Sequence, residues 1–498
     1  MALWQNIPFF CIIFCLLSAA ITSVLKGNRA KYFCMIVVML VIAASGVLCY
    51  HMVNFDGAYT YMMGHFPAPW GNEIRVGILE AVMATVFSSI MLLCLMGGDH
   101  RMDEHVGKTR KNLYYVIVEL LTAALLAQVY TNDLFTAYVF LEIMTIAGGA
   151  LIASRTKGHT LVAATRYMIM NLIGSGLFLL GITLLYDLTG HLLMSDIQRV
   201  VLEIHQSGAY QQPLTVVIVL LTVGLSIKSA LFPFHTWVPD AYSYSTPSTS
   251  AIMSSLVSKG YMFLLIKIYY RTIGLEVIRD SNILIVVIAF GLIAMILGSI
   301  DAIKEKDIRR MVAFSSVAQT GYIFMGIGMG TEYGMAAAIF HICSHSLIKA
   351  MLYLSTGQLT MASSEYKTFR QLRGAGIRNP LAGVAFVTGA FSIVGIPFLS
   401  GFISKLLFAQ AAMDMHTGVM LVIMATLTIS TLLNTLYFLR TVITIYRPAV
   451  SAKIEKQKLQ NAWMFNVAMA VMVAFNVILG VMAQPVISAI TKGLTFFG

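Results

Sequence analysis

Apolar runs of about 20 residues recur along almost the whole chain, separated by short polar connections. A helix rises about 1.5 Å per residue, so such a run spans a hydrocarbon core about 30 Å thick. The runs predict helices over 7–25, 32–50, 75–97, 113–130, 134–154, 162–186 and 214–232. A second set follows over 249–271, 281–301, 309–329, 334–357, 381–410, 418–440 and 463–489. The longest connections, 51–74, 187–213 and 358–380, are too short for an inserted soluble domain. The first run lacks a basic leader region, so it reads as an uncleaved span rather than a signal peptide. The pattern predicts an all-α polytopic membrane protein with about 14 transmembrane helices.

Composition agrees. The 498 residues are 58% hydrophobic and only 11% charged. That excludes a soluble enzyme, a disordered chain and a disulfide-rich secreted domain. The six cysteines all sit in apolar runs and form no CxxC, so neither a zinc site nor a cluster framework is expected.

The net charge of +11 is distributed unevenly. Odd-to-even connections hold 22 basic residues, among them Arg101, Lys108, Arg155, Lys157, Arg309, Lys367, Lys453, Lys456 and Lys458. The opposite side holds five: Arg75, Arg199, Arg271, Arg279 and Lys492. Positive charge accumulates on cytoplasmic connections. Both termini are therefore expected on the non-cytoplasmic side.

Six basic residues remain inside the spans: Arg166, Lys228, Lys259, Lys267, Lys349 and Lys405. Each costs about 2.5–3.5 kcal/mol at mid-bilayer on the insertion scale, and such residues are normally functional. Lys267 lies one turn from a helix end and is expected to snorkel. The other lysines lie too deep for that.

Four constellations carry the chemistry. Glu142 stands in an apolar helix and needs a cationic partner to stay ionised. Glu80 and Glu119 also lie in spans, with no motif to separate interior acids from pathway members. Lys228 lies five residues before Pro233, and a proline inside a span frees backbone groups that protein or water must satisfy. Lys259 has Ser255 and Ser258 beside it to hold water. His341, His345 and Lys349 recur at i, i+4 and i+8, stacking three titratable groups on one helical face as in a proton relay. The two histidines lack an acidic or cysteine third ligand, so no metal is expected. Lys405 follows a span interrupted at Gly395, Pro397 and Gly401. Two broken helices far apart point to inverted repeats.

The segments KSALFPFHTWVPDAY, TPSTSAI, DIRRMVAFSSVAQTGYIFMGIG, FHICSHSLIKAMLYLSTG and GIPFLSGFISK, with the stretch around Glu142, resemble one known family. It comprises the antiporter-like subunits of respiratory complex I, of membrane-bound hydrogenases and of Mrp cation/proton antiporters. The HFPAPWGNEIRV segment and Lys405 look most like the Mrp D subunit or the equivalent subunit of Mrp-containing membrane-bound hydrogenases. The resemblance implies fourteen core helices and two inverted five-helix repeats, each with a broken helix. Repeats at 113–271 and 272–440 would follow a three-helix segment at 1–112 and precede a loop and last helix at 441–498. It implies that Glu142 pairs with Lys228, that Lys259 bridges, that His341, His345 and Lys349 form a central relay, and that Lys405 is the terminal basic residue.

The expected function is proton movement along this chain of side chains, in a Mrp-type sodium (or other cation)/proton antiporter of a bacterial or archaeal cell membrane. The alternative is a pumping subunit of a redox-driven complex, a hydrogenase or complex I-like NADH dehydrogenase. The chain carries no nucleotide motif or cluster ligands, so no cofactor is expected and redox chemistry would belong to partner subunits. A stand-alone carrier of an organic solute suits the broken helices but not the string of lysines. Protons, possible sodium ions, lipid and other membrane subunits are the expected partners, and nucleic acid is not.

Overall fold

A computed structural model describes residues 3–55, 57–66, 71–98, 102–107, 109–155, 158–448 and 462–498. Arg101, Lys108, Lys157, Lys453, Lys456, Lys458 and residues 67–70 of the HFPAPWGNEIRV segment lie outside them.

Helices dominate. In chain order, leaving aside single turns, they begin with α1 (Ile7–Val24), α2 (Asn28–Val53) and α3 (Ile78–Gly98). A short antiparallel hairpin, β1 (Tyr59–Met62) and β2 (Glu73–Val76), joins α2 to α3. Five spans follow: α4 (Lys111–Tyr130), α5 (Leu134–Ala153), α6 (Gly158–Thr189), a broken helix and α10 (Pro247–Ile273). The broken helix consists of α8 (Gln211–Lys228), an irregular turn and α9 (Val238–Tyr244). The connection before it, expected to be merely polar, carries an amphipathic helix, α7 (Met194–Ser207).

Five more spans repeat the order: α11 (Ile283–Lys304), α12 (Ile308–Gly328), α13 (Glu332–Met361), a broken helix and α16 (Thr417–Tyr446). Here the break separates α14 (Pro380–Val394) from α15 (Ser400–Met413). In each series the fourth helix is the broken one. An odd number of crossings starts the second series on the opposite face from the first, which is what inverts it.

Among the described residues, 13 helices are long and apolar enough to cross a membrane, with Pro380–Val394 a shorter apolar one. The predicted last helix, 463–489, is instead two: α17 (Trp463–Val481) and α18 (Ala483–Thr495). Pro485, in the first turn of α18, has no N–H for a continuous helix. The sequence pattern read through it because the apolar residues continue.

The centre of the molecule is α10, α12 and α13, which are buried almost throughout. The outer helices present large apolar side chains, such as Leu17 and Leu40 on α1 and α2, Leu172 on α6 and Leu432 on α16. That is the arrangement of a chain whose solvent is lipid. Close packing reaches the Lys228 turn through Gly174 on α6 and Gly224 on α8. A Cβ on either would meet the other's carbonyl oxygen within 2.9 Å, so only glycines let these helices approach so closely. At the other break, α14 ends on Gly395 at φ +92°, a backbone conformation that favours glycine.

Candidate functional site

Asp133 caps α5 by accepting a hydrogen bond from the Thr136 N–H, and Glu142 lies two turns beyond. Lys228 ends α8, where Ala230, at φ +60°, turns the chain out of the helix. Its Nζ sits 3.5 Å from Glu142 Oε1 and donates to Thr145 Oγ1 at 2.7 Å. Lys228 is fully buried, whereas the Glu142 side chain is 20% exposed. The Tyr261 hydroxyl lies 3.3 Å from Thr145 Oγ1, and the Tyr261 ring lies 5.5 Å below the Lys228 ammonium.

Tyr261 brings the line to α10, two residues from Lys259. A π-helical stretch over Met253–Val257 widens the helix just before it. Lys259 Nζ donates to the Ser254 carbonyl at 2.7 Å and to Ser258 Oγ at 3.2 Å. Ser255, expected beside it, has no partner among the described residues. The Ser254 hydroxyl meets Ser316 of α12 at 3.1 Å. Next to Ser316, Ser315 Oγ accepts from Lys349 Nζ at 2.5 Å, and the Val312 carbonyl accepts from it at 3.0 Å.

On α13 the His341 and His345 rings stack, with centroids 5.3 Å apart. His341 Nδ1 meets Ser404 Oγ at 2.5 Å, and its ring stacks on Tyr322. Lys405 lies over the same Tyr322 ring, 5.7 Å from its centroid. Its Nζ donates to the Val394 carbonyl at 2.8 Å and to Thr431 Oγ1 at 2.9 Å. Lys405 therefore caps the carbonyl end of α14, where a helix carries partial negative charge. The structure thus brings Lys228, Lys259, His341, His345 and Lys349 into one buried band, with Glu142 and Lys405 half-buried at its two ends. Pro233 and Pro397 lie in the two breaks with their side chains exposed rather than lining the interior.

The sequence reading missed Thr145, Tyr322, Ser404 and Thr431. Thr145 carried a signal, since i+3 from Glu142 puts it on the same helical face. Tyr322 stood in the segment that carried the family resemblance. Ser404 likewise stood in a resembling segment, GIPFLSGFISK, beside Lys405; Thr431 gave none.

Three other expectations change. Lys267 does not snorkel: it is fully buried and donates to the carbonyls of Gln128, Val129 and Thr131, at the end of α4. Arg271, counted with the loops, is buried in α10 and donates to Glu80 Oε1 at 2.6 Å. Arg166, counted among the costly intramembrane cations, points outward and pairs with Asp240 of α9. Glu119 is buried, with no hydrogen-bond partner for its carboxyl among the described residues.

Broken helices around a buried line of titratable side chains define the class: an antiporter-like membrane subunit. The transmembrane family described as NADH:quinone oxidoreductase/Mrp antiporter matches residues 131–433, and the chain belongs to it. It is 30% identical over 445 residues to NADH-quinone oxidoreductase subunit N of Desulforudis audaxviator, covering 89% of this chain and 86% of that one. It is 30% identical over 357 residues to a Staphylococcus haemolyticus protein named as an antiporter subunit, mnhD2, covering 71% of this chain and 69% of that one. The fold matches a chain of the archaeal membrane-bound sulfane sulfur reductase at a TM-score of 0.90, with 23% identity and coverage of 99% and 98%. It matches a chain of the Mrp complex from Dietzia sp. at 0.87, with 22% identity and coverage of 99% and 97%.

Proposed function

We propose that this subunit carries protons along the band from Glu142 to Lys405 within a Mrp-type cation/proton antiporter. The observation that carries the reading is the Glu142–Lys228 pair at one end of a near-continuous series of basic and hydroxyl side chains. While the pair is closed, the carboxylate attracts a proton-bearing ammonium at Lys228. When it opens, that attraction is lost and the proton passes by way of Thr145 and Tyr261 toward Lys259. It then moves through the Ser254–Ser316 hydroxyls and Lys349 to the histidine stack, and on to Lys405. Neighbouring cations repel, so the sites titrate as one coupled set.

Buried groups without protein partners support a hydrated route. Among the described residues these include Gln319, Tyr353, His341 Nε2 and both His345 nitrogens. Such groups are ordinarily satisfied by ordered water. The two breaks support lateral partners: Pro233, Thr236, Pro397 and Phe398 are exposed there, and irregular backbone at membrane depth needs protein or water rather than lipid around it. The order of the spans supports units at 113–271 and 272–440 between a segment at 1–112 and one at 441–498. The basic connections support placing both termini on the non-cytoplasmic face.

One charge crossing 100 mV involves about 2.3 kcal/mol, so the pair needs a driver. In the Mrp reading a cation such as sodium, moving through partner subunits, supplies it. The second reading, a redox-driven pump, is favoured by the likenesses to subunit N and to the sulfane sulfur reductase complex. Gentle purification through this chain, with mass spectrometry and iron and flavin analysis, separates them. Small membrane partners without iron or flavin support the antiporter; iron–sulfur partners replace it with the pump.

A further inference from the structure

A second polar site lies where the connections of the basic face converge, away from the band. It is a cavity of about 220 Å³ beside the end of α9. Its walls include Arg155, Arg309, Lys367, His105, His159 and Glu365. Arg155 donates to the carbonyls of Tyr244 and Ser245 at 3.0 and 3.3 Å. Arg309 donates to the Ser245 carbonyl at 2.7 Å and to Ser250 Oγ at 3.1 Å. Lys367 donates to the Ser243 carbonyl at 2.9 Å. Three cations thus grip the carbonyl end of one half-helix.

The grip leaves charge over. Arg155 and Arg309 are 6% and 3% exposed, and the Nε–H of each lacks an acceptor among the described residues. The only carboxylate among the described lining residues is Glu365, which is exposed and lies 3.8 Å from His105. Burying cations without matching anions is costly. Burial pushes the Arg155 guanidinium below its usual value, with Glu365 pulling the other way. The space equals that of about seven waters at about 30 Å³ each, ample for a tetrahedral oxyanion. Guanidinium groups recognise phosphate by directed, charge-assisted hydrogen bonds. Basic pockets between spans on the cytoplasmic side suit lipid headgroups of this kind.

We propose that this cavity binds a phosphate group, carried by an anionic phospholipid headgroup or by a free phosphate ion. The ligand fills the space beside the clamp on α9, with the Arg155 and Arg309 Nε–H groups as its deep donors and Lys367 at the rim.

The test is thermal unfolding of the purified complex, titrated separately with phosphatidylglycerol in phosphatidylcholine micelles and with inorganic phosphate. A saturable rise in melting temperature is expected. A response to phosphatidylglycerol alone assigns a headgroup; a response to phosphate as well assigns the free ion. Arg155→Gln and Lys367→Gln are expected to raise the half-saturating concentration about tenfold, the usual scale for one charged hydrogen bond. The exposed, charge-matched Arg370→Gln is expected to leave it unchanged. If Arg155→Gln does not fold, the half-buried Lys367→Gln carries the comparison. No saturable response to either probe, or an equal loss in Arg370→Gln, overturns the proposal.

Discussion

Lys228 Nζ lies closer to the Thr145 hydroxyl, at 2.7 Å, than to the Glu142 carboxylate, at 3.5 Å. The ion pair is loose, and a hydroxyl stands ready to hold the ammonium when the pair separates. Thr145 also reaches Tyr261, so it joins the pair to α10. Thr145→Val, which keeps the shape and removes the hydroxyl, is expected to slow proton flux several-fold without lowering the melting temperature by more than a few degrees. Thr145→Ser is expected to keep the rate. Flux in vesicles containing the whole complex checks both.

Lys267 serves the fold. Its ammonium caps three carbonyls at the end of α4, and losing that charged donor leaves buried acceptors unmet. Lys267→Met is expected to destabilise by about 3 kcal/mol while sparing the flux per folded complex. Thermal unfolding in detergent beside a flux assay separates these effects.

Glu80 and Arg271 form a second buried pair, also without a place in the band. Removing one partner of such a pair costs about 3–5 kcal/mol, because the other charge is stranded. Glu80→Gln alone is therefore expected to destabilise more than the double change Glu80→Gln with Arg271→Met. A double-mutant cycle by thermal unfolding measures the difference.

Lys405 and Ser404 sit at the far end of the band, on consecutive positions facing Tyr322 and His341. Lys405→Met is expected to abolish transport, since no other basic side chain of the band caps α14. Ser404→Ala is expected to slow transport by less than tenfold, since water can bridge to His341. The ratio of the two rates, measured in the same vesicles, checks the assignment.

Much of this could be read from the chain alone, for a physical reason. A charge inside an apolar run is costly, so Glu142, Lys228, Lys259, Lys349 and Lys405 stand out without any structure. Both breaks announced themselves through Pro233 and Pro397. Hydroxyls carry no such cost, because a helical serine or threonine can bond its own backbone. Ser404 and Thr431 therefore look ordinary until α15 is packed against α13 and α16. Lys267 was misread because depth alone was considered; only tertiary packing brings the carbonyls of 128–131 to it. Arg271 was taken for a loop residue because its partner, Glu80, lies far away in the sequence.

The central claim is that the Glu142–Lys228 pair gates proton movement. Its most direct test is proton flux through the intact complex in sealed vesicles, with Glu142→Gln and Lys228→Ala each compared with the parent at equal amounts of assembled complex. The account predicts that either change lowers flux at least tenfold while assembly persists. Undiminished flux in either variant would contradict it.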